Sequence, residues 1–254
     1  MTSAELDRMG YLLDPVAFAR EILEFAPDAR QAEVLLGGAR RLLLNCSRQW
    51  GKSSTAAAIA AHRAYCFEGS LVVCVSPTER QTGELVRKIR KFLLRAGITL
   101  RGDGSNRISL TLPNGSRIVG LPGTEATVRG YSAASLVVID EAARVPDELY
   151  QSVRPMLAVS GGDLICMSTP FGQRGFFWKE WAMGGDGWTR VCVKATDFDR
   201  IAPEFLDEER QKQGAEWFAQ EYLCSFVGME NEAFRREWLL TAKAEGLRYR
   251  ALDL

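Results

Sequence analysis

A chain of 254 residues, 46% apolar and 25% charged, can bury a sizeable core in one large domain or two small ones, which excludes intrinsic disorder and fibrous repeats. Thirty-two basic side chains balance thirty-two acidic ones, so a uniformly basic nucleic-acid coat is excluded and any such contact must be local or shared between subunits. A single histidine (His62), six scattered cysteines without a C-x-x-C pair, and no apolar stretch near the ~20 residues of a membrane span argue against a zinc site, a disulfide framework or a transmembrane segment; they predict a cytoplasmic protein with reduced, buried thiols.

In chain order, short and nearly continuous apolar runs at 41–46, 71–75, 136–139, 164–167 and 191–193 predict strands buried on both faces. Between them, 53–67, 78–96, 146–157 and 175–183 predict helices. This alternation is that of an α/β protein, a mostly parallel sheet flanked by helices. In the second helix Leu85, Ile89, Phe92 and Leu93 share one face, while Arg87, Lys88, Arg90 and Lys91 read as a solvated one. Residues 107–120 alternate about Asn114-Gly115 and predict a β-hairpin, an insertion near 101–121. Beyond 197 the strands cease, and 203–227 carries charged and aromatic residues at helical spacing. The expected division is a core over 1–200, a helical lid over 201–246, and the start of another unit at 247–254.

The segment Cys46-Ser47-Arg48-Gln49-Trp50-Gly51-Lys52-Ser53-Ser54 follows a predicted strand and opens an Ala-rich helix. That context suits a phosphate-binding loop: backbone N–H groups from Ser47 to Ser54 and the helix N-terminus cradle phosphates, Lys52 reaches the β and γ oxygens, and Ser53 ligates Mg²⁺. Cys46 stands where G-x-x-x-x-G-K-[ST] has its first glycine. The apolar run 136–139 then ends in Asp140 and Glu141. Two carboxylates at the edge of a buried strand are costly unless a cation sits there, which predicts Asp140 on Mg²⁺ and Glu141 polarising the attacking water.

These two motifs, in this order and at this distance, resemble the ATPase of tailed-bacteriophage terminase large subunits, the motors that pump DNA into procapsids. The resemblance implies an additional-strand, RecA-like P-loop NTPase fold with a small C-terminal helical lid. It implies Gln31, in Pro27-Asp28-Ala29-Arg30-Gln31, as the adenine-recognition glutamine, and Ser168 or Thr169, in Met167-Ser168-Thr169-Pro170, as the coupler that senses the γ-phosphate. It makes 217–226 the lid helix, whose Trp217, Phe218, Tyr222 and Phe226 are lid core or a base-stacking platform. The charge of the transferring phosphoryl group falls to Arg48 within the subunit or to Arg129 reaching a neighbour's nucleotide. Arg101, Arg107 and Arg117 around the hairpin are candidates for sequence-independent DNA contact.

The implied ligands are ATP and Mg²⁺. The implied partners are double-stranded DNA, further copies in a ring, a capsid portal protein and a small terminase subunit, in the host cytoplasm and without a membrane. Complete members continue into a nuclease with several metal-binding carboxylates, of which Asp253 would be the first; one acid cannot build a two-metal site, so the expectation is ATP hydrolysis without DNA cleavage, in a fragment or truncated product. A helicase-like translocase and a nucleotide-binding assembly module with little turnover are the alternative readings.

Overall fold

The computed structural model describes residues 9–104, 106–122 and 130–228. Asp14 accepts from the Val16 and Ala17 amides at 3.0 and 2.8 Å, opening α1 (Pro15–Ala17), which runs into a π-helical turn, Phe18–Ile22. The next helix, α2 (Ala29–Leu36), starts on a reciprocal cap: Asp28 accepts from the Gln31 amide at 2.8 Å, and Gln31 Oε1 accepts from the Asp28 amide at 3.0 Å. Strands and helices then alternate as β1 (Arg41–Cys46), α3 (Lys52–Cys66), β2 (Leu71–Ser76), α4 (Glu79–Arg95), β3 (Ser109–Thr111), β4 (Arg117–Pro122), β5 (Leu136–Asp140), α5 (Asp147–Val153), β6 (Asp163–Ser168), α6 (Gly175–Met183) and β7 (Thr189–Val193). Two helices follow, α7 (Pro203–Gln213) and α8 (Ala215–Tyr222). The predicted helix over 146–157 is divided, because Pro155 lacks an amide donor and the last turn, Arg154–Leu157, tightens to a 3₁₀ helix.

One seven-stranded sheet runs β3-β4-β2-β5-β6-β1-β7, all parallel except the β3–β4 pair. Successive side chains leave opposite faces, so Leu42, Leu44, Val72, Cys74, Val138 and Ile165 meet α2, α3 and α4, whereas Leu43, Val73, Val75, Val137, Ile139 and Leu164 meet α5 and α6. The Ala-rich stretch of α3 has a packing reason: Ala56, Ala57, Ala60, Ala61 and Ala64 are fully buried, and their small side chains let the helix lie close to both sheet and α4. His62, on the same helix, bonds the Tyr11 carbonyl at 2.8 Å and meets Phe18 edge to face, and burial lowers its pKa.

The predicted hairpin forms about Asn114-Gly115, with Ser109 opposite Val119 and Thr111 opposite Arg117. It is also more than an insertion, since β4 pairs with β2 over its whole length and completes the parallel sheet. At the other edge, the expectation of a strand buried on both faces fails for β7: Thr189 and Cys192 are exposed and only Val193 is buried. Cys192 is accordingly the one exposed cysteine, and the other five are buried thiols. Among the described residues no helix is long and apolar enough to cross a membrane.

Candidate functional site

Phosphate-loop geometry follows from how β1 ends. Cys46 is fully buried and its backbone is not left-handed, so the thiol points into the core and a glycine is not required there. Burial pushes that thiol's pKa up. The chain then turns sharply. The Ser47 amide donates to the Val193 carbonyl at 2.8 Å, Gln49 adopts a φ of 66°, and Gly51 a φ of 99° immediately before α3 begins at Lys52. A Cβ on Gly51 would stand 2.8 Å from Gln31 Nε2, so only glycine fits this backbone and this neighbour.

A cavity of about 620 Å³ opens over the loop, at the C-terminal ends of β1, β5 and β6. Gln31, Arg48, Gln49, Trp50, Gly51, Lys52, Ser53 and Ser54 line it, with Glu141 and Thr169 across from them. Lys52 is buried, and among the described residues no protein group bonds or pairs with its ammonium. A desolvated, unpaired cation beside a helix N-terminus is a site waiting for an anion.

Asp140 ends β5 buried, next to Glu141 but not itself among the residues that line the cavity, and its Oδ1 accepts from the Glu141 amide at 2.9 Å. Burial, with the Glu141 charge added, pushes the Asp140 carboxyl up to about 6, against the opposing pull of Lys52. Glu141 itself sits in the left-handed region at φ 51°, a conformation that costs a non-glycine residue of order 1 kcal/mol and turns its side chain into the cavity. Its Oε2 accepts from Arg144 Nη1 at 3.0 Å, and the same nitrogen lies 3.4 Å from Thr169 Oγ1. Arg144 Nη2 donates to Glu221 Oε1 at 3.3 Å, and the guanidinium stacks over Phe171. Glu221, on α8, holds Arg48 Nε at 2.6 Å with its other oxygen. One arginine thus joins the acid, the end of β6 and the C-terminal helices, and one buried carboxylate joins those helices to the loop. The Glu221 partner raises the Arg48 pKa further.

Other candidates fall into place unevenly. The Trp50 indole lies wholly in the core, so that residue meets the cavity through its backbone, and Ser47 is turned inward with its hydroxyl donating to the Arg48 carbonyl at 3.1 Å. Gln31 donates from Nε2 to the Trp50 carbonyl at 2.8 Å, tying α2 to the loop. Ser168 is fully buried with an unpartnered Oγ, and it is Thr169 that reaches the cavity. The aromatic residues divide: Phe218 and Tyr222 pack with Ala195 and Trp217, whereas Phe226 lies beyond the end of α8 and packs 4.8 Å from Trp178 of α6. Arg101 and Arg117 come together through Thr111 at the N-terminal edge of the parallel strands, remote from the cavity, and Arg117 pairs with Asp103 at 2.8 Å. Arg107 is exposed before β3. Arg129 and Asp253 lie outside the described residues, as do 229–254 of the expected lid and of the unit after it.

Sequence reasoning missed four residues here. Arg144 had a local signal, three positions after Glu141 on the turn that follows β5. Glu221 had none, being a charged residue in a helix that looked amphipathic. Arg200 donates to the Trp50 carbonyl and to Asp28 Oδ2, the latter at 2.8 Å, bracing loop and α2 from beyond β7. Lys88 lines the cavity from α4, although its spacing placed it on a solvated face.

Residues 43–241 match the family model described as "Terminase large subunit, T4likevirus-type, N-terminal". The chain belongs to that family. Its curated relatives include the terminase large subunits of Thermus phage G20c and Thermus virus P23-45, each 25% identical over 250 residues, covering 84% of this chain and 51% of the relative. This terminase chain therefore spans about half the length of the curated relatives it matches. The fold is that of the large terminase ATPase domain of Thermus phage P74-26, at a TM-score of 0.76 and 22% identity over 85% of this chain and all of that one. The large terminase of another thermophilic bacteriophage, in complex with ADP, superposes at a TM-score of 0.64 and 14% identity, over 85% of this chain and 52% of that one.

Proposed function

We propose that this chain is the Mg-ATP-hydrolysing motor part of a terminase large subunit, and that hydrolysis drives translocation of double-stranded DNA into a procapsid. The observation that carries the nucleotide reading is Lys52, buried and, among the described residues, without an ion-pair partner, at the start of α3 and lining a cavity large enough for a nucleotide. Family membership supports the motor, and the thermophilic bacteriophage terminase in complex with ADP supports the ligand.

The residues present fit the ligand. In the proposed site Gln31, with Phe25 and Ala26 beside it, receives the base, and the amides of Gly51 to Ser54 bind the β-phosphate. Lys52 binds the β and γ oxygens. Glu141 orients the attacking water and draws off its proton. Thr169, joined to Glu141 through Arg144, senses whether the terminal phosphate is present. Ser53 and Asp140 would hold Mg²⁺, and the ion would neutralise charge on the transferring phosphoryl group. Arg48 or Arg129 supplies the further positive charge on that group. A ring of copies on a capsid portal, fed by a small terminase subunit, and DNA contact at Arg101, belong to the same proposal.

The test is Mg-dependent ATP hydrolysis by the purified chain over a range of its own concentration. Activity lost in Lys52→Ala and in Glu141→Gln is expected, and turnover that survives either substitution overturns the scheme. A rate per subunit that rises with concentration assigns the finger to a neighbour's Arg129, and a constant rate assigns it to Arg48.

A further inference from the structure

Lys88 has no part in the phosphate-loop or acid motifs, and its helical spacing groups it with Arg87, Arg90 and Lys91 on the outside of α4. With them it borders a shallow groove on the outer side of α4, but it alone of the four also lines the cavity over the loop. Arg87 and Arg90 are exposed, and Arg87 pairs with Glu84 of its own helix at 2.8 Å. Lys88 is half-buried and lines the nucleotide cavity with Lys52, Ser53 and Glu141. It reaches the cavity from the opposite side to Arg48 and Arg200: α4 packs on β2 and β4, whereas Glu221 and Arg200 flank the β1–β7 side. Among the described residues no hydrogen bond or ion pair engages the Lys88 ammonium.

Two ammonium groups with no hydrogen-bond or ion-pair partner among the described residues, Lys52 and Lys88, thus line one cavity. The charges that act on Lys88 are the attraction of Asp140, the repulsion of Lys52 and the attraction of Glu84, which is already paired. Asp140 and Glu141 offset part of the repulsion between two partly desolvated cations, and a polyanion bound between the lysines offsets more of it. Lys88 lines the cavity together with Glu141, the acid next to Asp140, and Asp140 attracts it; the acid end is where the terminal phosphate of a triphosphate would lie.

We propose that Lys88 contacts the terminal phosphate of the bound nucleotide, so that α4 distinguishes nucleoside triphosphate from diphosphate within one subunit. The assignment rests on the nucleotide reading of the cavity given above. A lysine suits the role because a cation on a flexible stem can follow the phosphate oxygens as charge builds on them.

The experiment is calorimetric titration of the full chain with ATP and with ADP, magnesium chelated so that the phosphate contact is read without the ion. Lys88→Met should weaken ATP at least tenfold and leave ADP within twofold, and Lys88→Arg should restore most of the loss. Equal weakening of both nucleotides, or no change in either, overturns the proposal. A wild-type chain that binds neither nucleotide overturns the nucleotide reading and this inference with it, whereas wild-type binding with an unchanged Lys88→Met variant overturns this inference alone. If Lys88→Met does not fold, amine-selective acylation of the wild-type chain decides: protection of Lys88 by ATP and not by ADP is expected, and equal protection by both overturns the assignment.

Discussion

Glu221 holds Arg48 at 2.6 Å through a carboxylate whose side chain is only 3% exposed, while the Arg48 side chain is 57% exposed. The pair is therefore asymmetric. Arg48→Ala leaves a buried carboxylate with Arg144 as its remaining partner, at 3.3 Å, and should cost about 1–3 kcal/mol. Glu221→Gln removes the buried charge, keeps hydrogen-bonding capacity, and leaves an arginine that water can reach, so it should cost less than about 1 kcal/mol. Thermal melting of both variants checks the order, and an Arg48→Ala protein as stable as wild type would remove the pair from the account.

Gly51 joins the loop to Gln31. Gly51→Ala places a Cβ in a backbone of φ 99° and within 2.8 Å of Gln31 Nε2, so the loop or the glutamine must move. The expected cost is about 1–3 kcal/mol in stability, seen as a lower Tm, together with at least a tenfold loss of ADP affinity. A variant that melts with the wild type and keeps its affinity would show that the close approach is not maintained in solution.

Asp140 gives the stability a pH dependence. Its carboxyl rises from 3.8 to about 6 on folding, because burial and Glu141 disfavour the charge. A raised carboxyl pKa opposes folding wherever the group is ionised in both states, here above about pH 6, by about 3 kcal/mol. The penalty shrinks as pH falls from about 6 toward 3.8 and is gone below that. In metal-free buffer Asp140→Asn should therefore melt above the wild type at pH 8, and the gap should close by pH 4. A gap of the same size at both pH values would refute the assignment.

Cys192 is the reactive thiol of the six. It is exposed on the edge strand, and hydrogen bonding with Cys224, aided by Lys194, lowers its pKa, while burial raises those of Cys46, Cys74 and Cys166. Iodoacetamide at pH 7.5 should modify one thiol of the native chain quickly, with the label on Cys192 by mass spectrometry, and Cys192→Ser should abolish the fast phase. Rapid labelling elsewhere would contradict the burial pattern.

Much of the architecture was legible because it is local. Runs such as 71–75 and 136–139 are apolar enough to be strands buried on both sides, and the alternation about Asn114-Gly115 reads as a hairpin at once. What spacing could not say is that β4 would join the parallel sheet, or that the last apolar run would become an exposed edge, since both depend on strand order.

The candidate site divides in the same way. Lys52, Ser53, Asp140 and Glu141 lie in contiguous motifs whose proposed chemistry needs those residue types next to one another, so the sequence by itself determined that they are the candidates. The partners of those residues were decided only by the tertiary structure. Arg144 is found through Glu141, Glu221 reaches Arg48 from 173 positions away, and Arg200 meets the Trp50 carbonyl from 150 positions away. Lys88 shows the limit most plainly. Helical period assigns it to the solvent face, yet its half-buried side chain also lines the cavity, because α4 packs on α3, β2 and β4 beside the loop. Motif chemistry acts through neighbours in the chain, whereas the electrostatics of a cavity depend on which charged ends the packing brings within reach.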